Sequence, residues 1–408
     1  MNESLLQKLK MVKLRDVGHV FLFLLALLPA FFYRLHRPHL WLVCESADEA
    51  RDNGYWFFKY LREQRPDVDA VYAVNPAAPE AARVRALGPT VPFGGFRHWV
   101  YYLAAEVNIS SQKYGKPNAA VCYVLEVVLG ILKNRRVFLQ HGVILHDLPF
   151  LHRNKARYAL FCCGAEPEYC FVREHFGYEP SAVCYTGLCR FDGLHGDETE
   201  RDLLLILPTW RMALQRLHGE TGQKAFLQSD YYRRWSELLQ SPGLQELLER
   251  YDKRAVFVAH RNMQAYEACF TSAGDRVRVL PWAEADVASL IRRAGAVLTD
   301  YSSVQMDFGY QFKSVLCYQF DEEQFHREHL QRGYFDSLRD GFGPVCATQD
   351  ELLGALEEQL RADFVMPPLY ADRVRAFYPL NDDANSERTY LAIRRLLDES
   401  APGREEKL

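Results

Sequence analysis

Short apolar runs alternate with helix-length stretches through most of this 408-residue chain, and the alternation starts twice. In the first half the runs are Trp41–Cys44, Ala70–Val74, Glu106–Ile109, Val137–Leu139, Tyr158–Cys163 and Ala182–Tyr185, with Gly54–Gln64 and Ala120–Leu132 as helices between them. Such alternation predicts βαβ units and a mostly parallel sheet. The polar stretch His195–Asp202, HGDETERD, then interrupts the pattern. It restarts with strands Leu203–Leu207, Ala255–Val258, Val277–Leu280, Ala296–Leu298 and Val315–Tyr318, and helices Tyr231–Gln240, Leu244–Arg250 and Glu351–Arg361. Pro242-Gly243 is expected to end the first of these helices. Single cores stop growing at roughly 250–300 residues, so the chain should hold two domains. The expected fold class is α/β: two Rossmann-like, doubly wound domains facing a cleft, residues 39–194 and 195–408, after an N-terminal segment, 1–38.

That segment contains VGHVFLFLLALLPAFFY, Val17–Tyr33. The run is short against the roughly 20 apolar residues of a spanning helix, and it holds His19 and Pro29. Lys8, Lys10, Lys13 and Arg15 precede it; Arg34 and Arg37 follow. Cations on both sides suit a helix lying in an anionic cytoplasmic leaflet, with a true span or a buried core helix as competitors. A signal peptide fits poorly, because Leu35–Leu40 offers no small-residue cleavage site. The location expected is the cytoplasmic face of the cell membrane, peripheral or monotopic. The ten cysteines show no paired zinc spacing and read as reduced core residues. A net charge of −4 and the lack of a basic-aromatic pattern give no support to nucleic-acid binding.

Four polar clusters follow predicted strands, where open α/β sheets present ligands. Gln140-His141-Gly142 places an imidazole where it could take a proton from a hydroxyl at neutral pH; a histidine in a turn is the plainer alternative. Pro208-Thr209-Trp210-Arg211 offers a guanidinium fork suited to phosphate, or a surface arginine. His260-Arg261 could hold an anionic oxygen, or be a solvated pair. Thr299-Asp300-Tyr301-Ser302-Ser303, followed by Asp307, opens a helix whose first turn could bind phosphate; the serines could equally just cap it. There is no GxGxxG after the first strand, no GxxxxGK[ST] and no HExxH. Dinucleotide oxidoreductases, P-loop enzymes and zincins are thereby disfavoured.

In this order the clusters resemble the CDP-glycerol glycerophosphotransferase family, the enzymes of teichoic-acid and related capsule synthesis. The matching stretches are Glu45 with Ala50-Arg51-Asp52-Asn53-Gly54, FLQHG around His141, TGLCRFDGL at Thr186–Leu194, LPTWR at Leu207–Arg211, LTDYSSVQMDF at Leu298–Phe308 and YQFD at Tyr318–Asp321. They run from about Trp41 to about Asp336, and imply a GT-B-like enzyme with its donor bound mainly by the C-terminal domain. The resemblance implies His141 as general base. It places His260, Arg211, Ser302 and Ser303 around the donor's phosphates, with Thr209, Asp300 and Asp307 in that site. Glu45, Asp52 and Asn53 fall on the acceptor side. One departure is His260-Arg261, where the family usually has His-Pro.

The implied reaction moves a polyol-phosphate unit from CDP-glycerol or CDP-ribitol to a polyprenyl-diphosphate-linked acceptor at the inner leaflet, releasing CMP. No acidic cluster forces a metal, and Mg²⁺ on the diphosphate is compatible. The competing readings are a GT-B glycosyltransferase using a nucleotide sugar and an inactive scaffold of a wall-synthesis complex.

Overall fold

A computed structural model describes residues 14–399 apart from 197, 217–218 and 329–330. Lys8, Lys10 and Lys13 lie outside the described residues. The chain forms two compact units. The first takes the described residues up to Val143, then Pro149–Gly193, then those from Asp382 on; the second takes Ile144–Leu148 and Leu194–Asn381. The C-terminal residues, expected in the second domain, therefore return to the first.

The first unit carries a parallel sheet of β1 (Trp41–Cys44), β2 (Ala70–Val74), β3 (Thr90–Pro92), β4 (Val107–Ser110), β5 (Arg136–Phe138) and, after β6 (His146–Asp147) of the other unit, β7 (Leu160–Cys163) and β8 (Val183–Tyr185). Their order is β3-β2-β1-β4-β5-β7-β8. β1, β2 and β7 are buried along their whole length, as continuous apolar strands covered on both faces should be. The last helix, Asn385–Glu399, adds Ile393 and Leu397 to this core. Its first turn is capped from afar: Asp192 accepts from the backbone N–H of Asn385 and Ser386, each at 2.9 Å.

The second unit repeats the plan with β9 (Glu200–Ile206), β10 (Arg254–Phe257), β11 (Val277–Val279), β12 (Ala294–Thr299), β13 (Ser314–Tyr318) and, after β14 (Gln331–Arg332), β15 (Val345–Cys346). The parallel order is β11-β10-β9-β12-β13-β15, while β6 and β14 form a separate antiparallel pair. Glu200–Asp202, expected in the linker, belong to β9, where Glu200 and Asp202 both pair with Arg254 across the strands. The helix Asp230–Leu239 ends just before Pro242, as expected, and Pro242 does more than mark that break. It opens the next helix, Pro242–Arg250, with Ser241 as N-cap, because proline's fixed φ and missing N–H suit the first turn. The expected helix Ala120–Leu132 is instead a short helix, Ala119–Tyr123, followed by a π-helical turn, Val124–Val128.

Leu14–His36 is one helix. Phe23, Ala26 and Ala30 pack into the first unit beside Trp99. Both ends are tied down. Asn118 donates to Asp16 at 2.9 Å, Trp99 Nε1 donates to His19 Nδ1 at 3.1 Å, and Arg34 donates to the carbonyls of Ala104 and Ala105, each at 3.0 Å. The opposite side leaves Phe21, Leu24, Leu25, Leu28, Phe31 and Leu35 exposed.

Candidate functional site

In doubly wound sheets the ligand crevice lies outside the strands' carboxyl ends, where the strand order reverses. In the first unit that point is between β1 and β4. β1 runs directly into Glu45, which is 1% exposed. Its carboxylate accepts from the backbone N–H of Arg51 at 3.1 Å, Asp52 at 3.1 Å and Tyr55 at 2.6 Å. It thus anchors the start of the Asn53–Gln64 helix. Burial, then the neighbouring Asp52, push the Glu45 carboxyl up, against the pull of these N–H groups. Gly54 is required here: a Cβ would lie 2.8 Å from Glu45 Cγ.

Glu45 thereby fixes Asp52, and Asp52 fixes His141. The Asp52 carboxylate lies 2.6 Å from His141 Nδ1 and 3.3 Å from Arg190 Nη1. A carboxylate can only accept, so Nδ1 carries the proton and Nε2 is the basic edge. The Gln112 side-chain amide approaches Nδ1 at 2.8 Å. Burial would raise the Asp52 carboxyl, but His141 and then Arg190 outweigh it and hold it below the usual range. The same carboxylate raises His141 above the ordinary imidazole value. The His141 side chain is 70% exposed, and that of Asp52 only 10%.

Backbone geometry presents this imidazole. Gln140, fully buried, sits at φ 65°, and its side chain donates to the Cys162 carbonyl at 2.8 Å. A left-handed backbone costs a non-glycine residue roughly 1–2 kcal/mol, here offset by that bond and by Asn53. Asn53 Nδ2 donates to the Gln140 carbonyl at 2.9 Å, and Asn53 Oδ1 accepts from Arg190 N at 2.9 Å. Arg190 Nη1 also donates to the His141 carbonyl at 2.7 Å. Glu45, Asp52, Asn53 and His141, expected from sequence, are thus joined, with the imidazole as their exposed member.

Sequence reasoning did not assign Arg190 and Gln112. The signal for Arg190 lay in TGLCRFDGL, whose arginine was quoted without a role; Gln112 follows β4, an end at which no cluster was read.

In the second unit the order reverses between β9 and β12. β9 leads into Thr209–Arg211, β12 into Asp300–Ser303, β10 into His260 and β13 into Asp321. Arg211 is 7% exposed. Its Nε and Nη2 donate to the two Asp321 oxygens at 2.9 and 3.0 Å, Nη2 lies 3.0 Å from Asp300, and Nη1 donates to the Thr209 carbonyl at 3.0 Å. The guanidinium expected on phosphate is therefore spent inside, tying three strand ends together. Asp300, fully buried, accepts from the N–H of Thr209 at 2.8 Å and of Tyr301 at 2.7 Å. Burial raises its carboxyl despite Arg211. Asp307, 3% exposed, lies inside the Val304–Tyr310 helix. All four of Thr209, Arg211, Asp300 and Asp307 are buried.

His260 is half-buried beside Trp210 and Trp282, each ring centre 6.2 Å away. Its Nδ1 accepts from Asn262 N at 3.1 Å, which puts the neutral ring's proton on Nε2. That bond holds the turn even though Arg261 replaces the usual proline. Ser302 Oγ accepts from Val304 N at 3.3 Å, and Ser303 precedes the helix without a side-chain cap.

Two doubly wound units with polar groups at the carboxyl ends of their sheets define a GT-B-like α/β protein. A family model described as CDP-Glycerol:Poly(glycerophosphate) glycerophosphotransferase matches residues 29–395, and the chain belongs to that family. It is 26% identical over 378 residues, 90% of its length, to the minor teichoic acid biosynthesis protein GgaB of Bacillus subtilis (strain 168). It is 28% identical over 103 residues, 25% of its length, to the teichoic acid poly(glycerol phosphate) polymerase of the same organism. It covers 41% of the first relative and 14% of the second. The wall teichoic acid polymerase TagF shares the fold at a TM-score of 0.62 and 14% identity, over 98% of this chain and 100% of that one. A UDP-N-acetylglucosamine 2-epimerase from Listeria monocytogenes, described as putative, shares it at 0.54 and 13% identity, over 91% and 100%.

Proposed function

We propose that the chain transfers a glycerol-phosphate, or related polyol-phosphate, unit from a CDP-activated donor to a lipid-linked cell-wall precursor and releases CMP. The observation that carries this reading is His141, an exposed imidazole whose Nδ1 is held 2.6 Å from Asp52, in a member of a CDP-glycerol glycerophosphotransferase family. Its Nε2 takes the proton of an acceptor hydroxyl. The oxygen then forms a bond to the polyol-bearing phosphorus, the bridging P–O bond to CMP breaks, and CMP leaves with that electron pair. The imidazolium returns its proton to water.

Charge on the phosphoryl oxygens must be met by fixed donors. We assign that role to His260, Ser302 and Ser303. Arg211, Thr209, Asp300 and Asp307 hold their strand ends in place, and Glu45, Asn53 and Arg190 hold the dyad. The Leu14–His36 helix, docked along one side and apolar on the other, would seat the enzyme on the inner leaflet, where a lipid-linked acceptor and a soluble donor are both within reach.

The His141→Ala protein is expected to lose transfer by roughly a hundredfold or more, the usual share of a general base, while CDP-glycerol binding by calorimetry is kept. Near-wild-type turnover would remove His141 from the chemistry.

A further inference from the structure

A groove in the first unit lies apart from His141 and its partners. It encloses about 720 Å³ and is lined by His152, Arg153, Asn154, Arg157 and His175, with Tyr158 and Phe176 as its floor and no carboxylate in its wall. Tyr158 and Ala159 precede β7, whereas His141 follows β5, and these strands run parallel. The groove therefore opens at the amino end of the sheet whose carboxyl end carries the dyad.

Two features distinguish it from an ordinary basic surface. Among the described residues, neither Arg153 nor Arg157 is paired with a carboxylate. Arg157 also occupies a left-handed position, φ 48°, where glycine would be unstrained. Its guanidinium is retained there and donates to the Glu126 carbonyl at 2.9 Å. That bond ties the groove's edge to the π-helical segment itself. The end of that segment and the turn after it expose Val128 (62%), Leu129 (57%) and Ile131 (63%), and the next residue, Leu132, packs on the cluster that holds the Leu14–His36 helix. The groove's cations therefore border an exposed aliphatic strip in the same unit as the Leu14–His36 helix.

We infer that this groove binds the phosphodiester headgroup of an anionic phospholipid while Val128, Leu129 and Ile131 enter the bilayer beside it. A phosphate next to aliphatic surface is what such a lipid offers, and each cation near an anionic membrane strengthens association about fivefold. A soluble phosphodiester shares the phosphate but not the acyl chains, and would leave the strip in water.

The test is flotation of the full chain with vesicles of phosphatidylglycerol and phosphatidylcholine, against phosphatidylcholine alone, with soluble glycerophosphoglycerol as competitor. Wild type should prefer the anionic vesicles, and the competitor should not displace it. Arg153→Glu, a change at an exposed position, should weaken binding to anionic vesicles roughly tenfold and leave binding to neutral ones unchanged. Arg157→Lys should keep most of the preference. Equal binding of Arg153→Glu and wild type to anionic vesicles would overturn the site, and displacement by glycerophosphoglycerol would overturn the lipid assignment. Neither readout involves turnover, so the result stands apart from the proposed reaction.

Discussion

In its proposed role as base, His141 depends on one neighbour. The Asp52 carboxylate sets its tautomer and raises its proton affinity, so the two residues give a prediction with a definite sign. A general base works unprotonated, and transfer should rise with pH through a value above the ordinary imidazole one. Asp52→Asn removes the charge that raises His141. The rising limb of kcat/KM should then move to lower pH while the plateau falls, because the tautomer is no longer enforced. A limb that stays in place would mean that His141 is not the titrating base. The pair also feeds into stability. Asp52, depressed in the fold, loses its contribution as pH falls through its folded value; His141, raised, loses its own as pH rises through its folded value. Between the ordinary carboxylate and imidazole values both contributions are present. The place of His141 at a strand end was legible because a histidine after an apolar run announces itself. Arg190 was not, because its partners are 49 and 138 residues away in sequence and only the folded sheet joins them.

At the scale of elements, the Asn53–Gln64 helix is the part on which the dyad depends. Its start is fixed by a buried carboxylate from the preceding strand, and Gly54 makes room for that carboxylate. Gly54→Ala would force a Cβ to 2.8 Å from Glu45 Cγ, so a loss of roughly 1–3 kcal/mol is expected, read as a lower melting temperature. Transfer should fall with it, since Asp52 moves when Glu45 does. A variant as stable and active as wild type would show that Glu45 does not position the dyad. Strands such as Trp41–Cys44 and Ala70–Val74 were legible to the residue, being apolar runs covered on both faces. Thr90–Pro92 and Val345–Cys346 were missed because runs of two or three residues carry no readable period. The helix expected over Ala120–Leu132 breaks into a π turn, in which Glu126 faces inward to Lys116 at 2.5 Å and Arg136 at 2.8 Å. A hydrophobic count cannot anticipate a buried charge cluster.

At the scale of the molecule, the chain repeats one plan in two units and returns its last helix to the first. The restart of strand–helix alternation made the two units legible. The return did not show in sequence, because the Asn385–Glu399 helix is held by Asp192, nearly two hundred positions earlier, and by core contacts such as Ile393. Family membership and strand-end chemistry both support the proposed polyol-phosphate transfer, whereas the choice of polyol rests on contacts the motifs do not encode. The most direct measurement is CMP release from CDP-glycerol, and separately from CDP-ribitol, by the purified chain with and without a prenyl-diphosphate-linked disaccharide. Acceptor-dependent CMP from one of the two donors is the predicted result, and it names the polyol. No CMP from either, with turnover of a UDP- or GDP-sugar instead, would contradict the account and leave only the fold and the family standing.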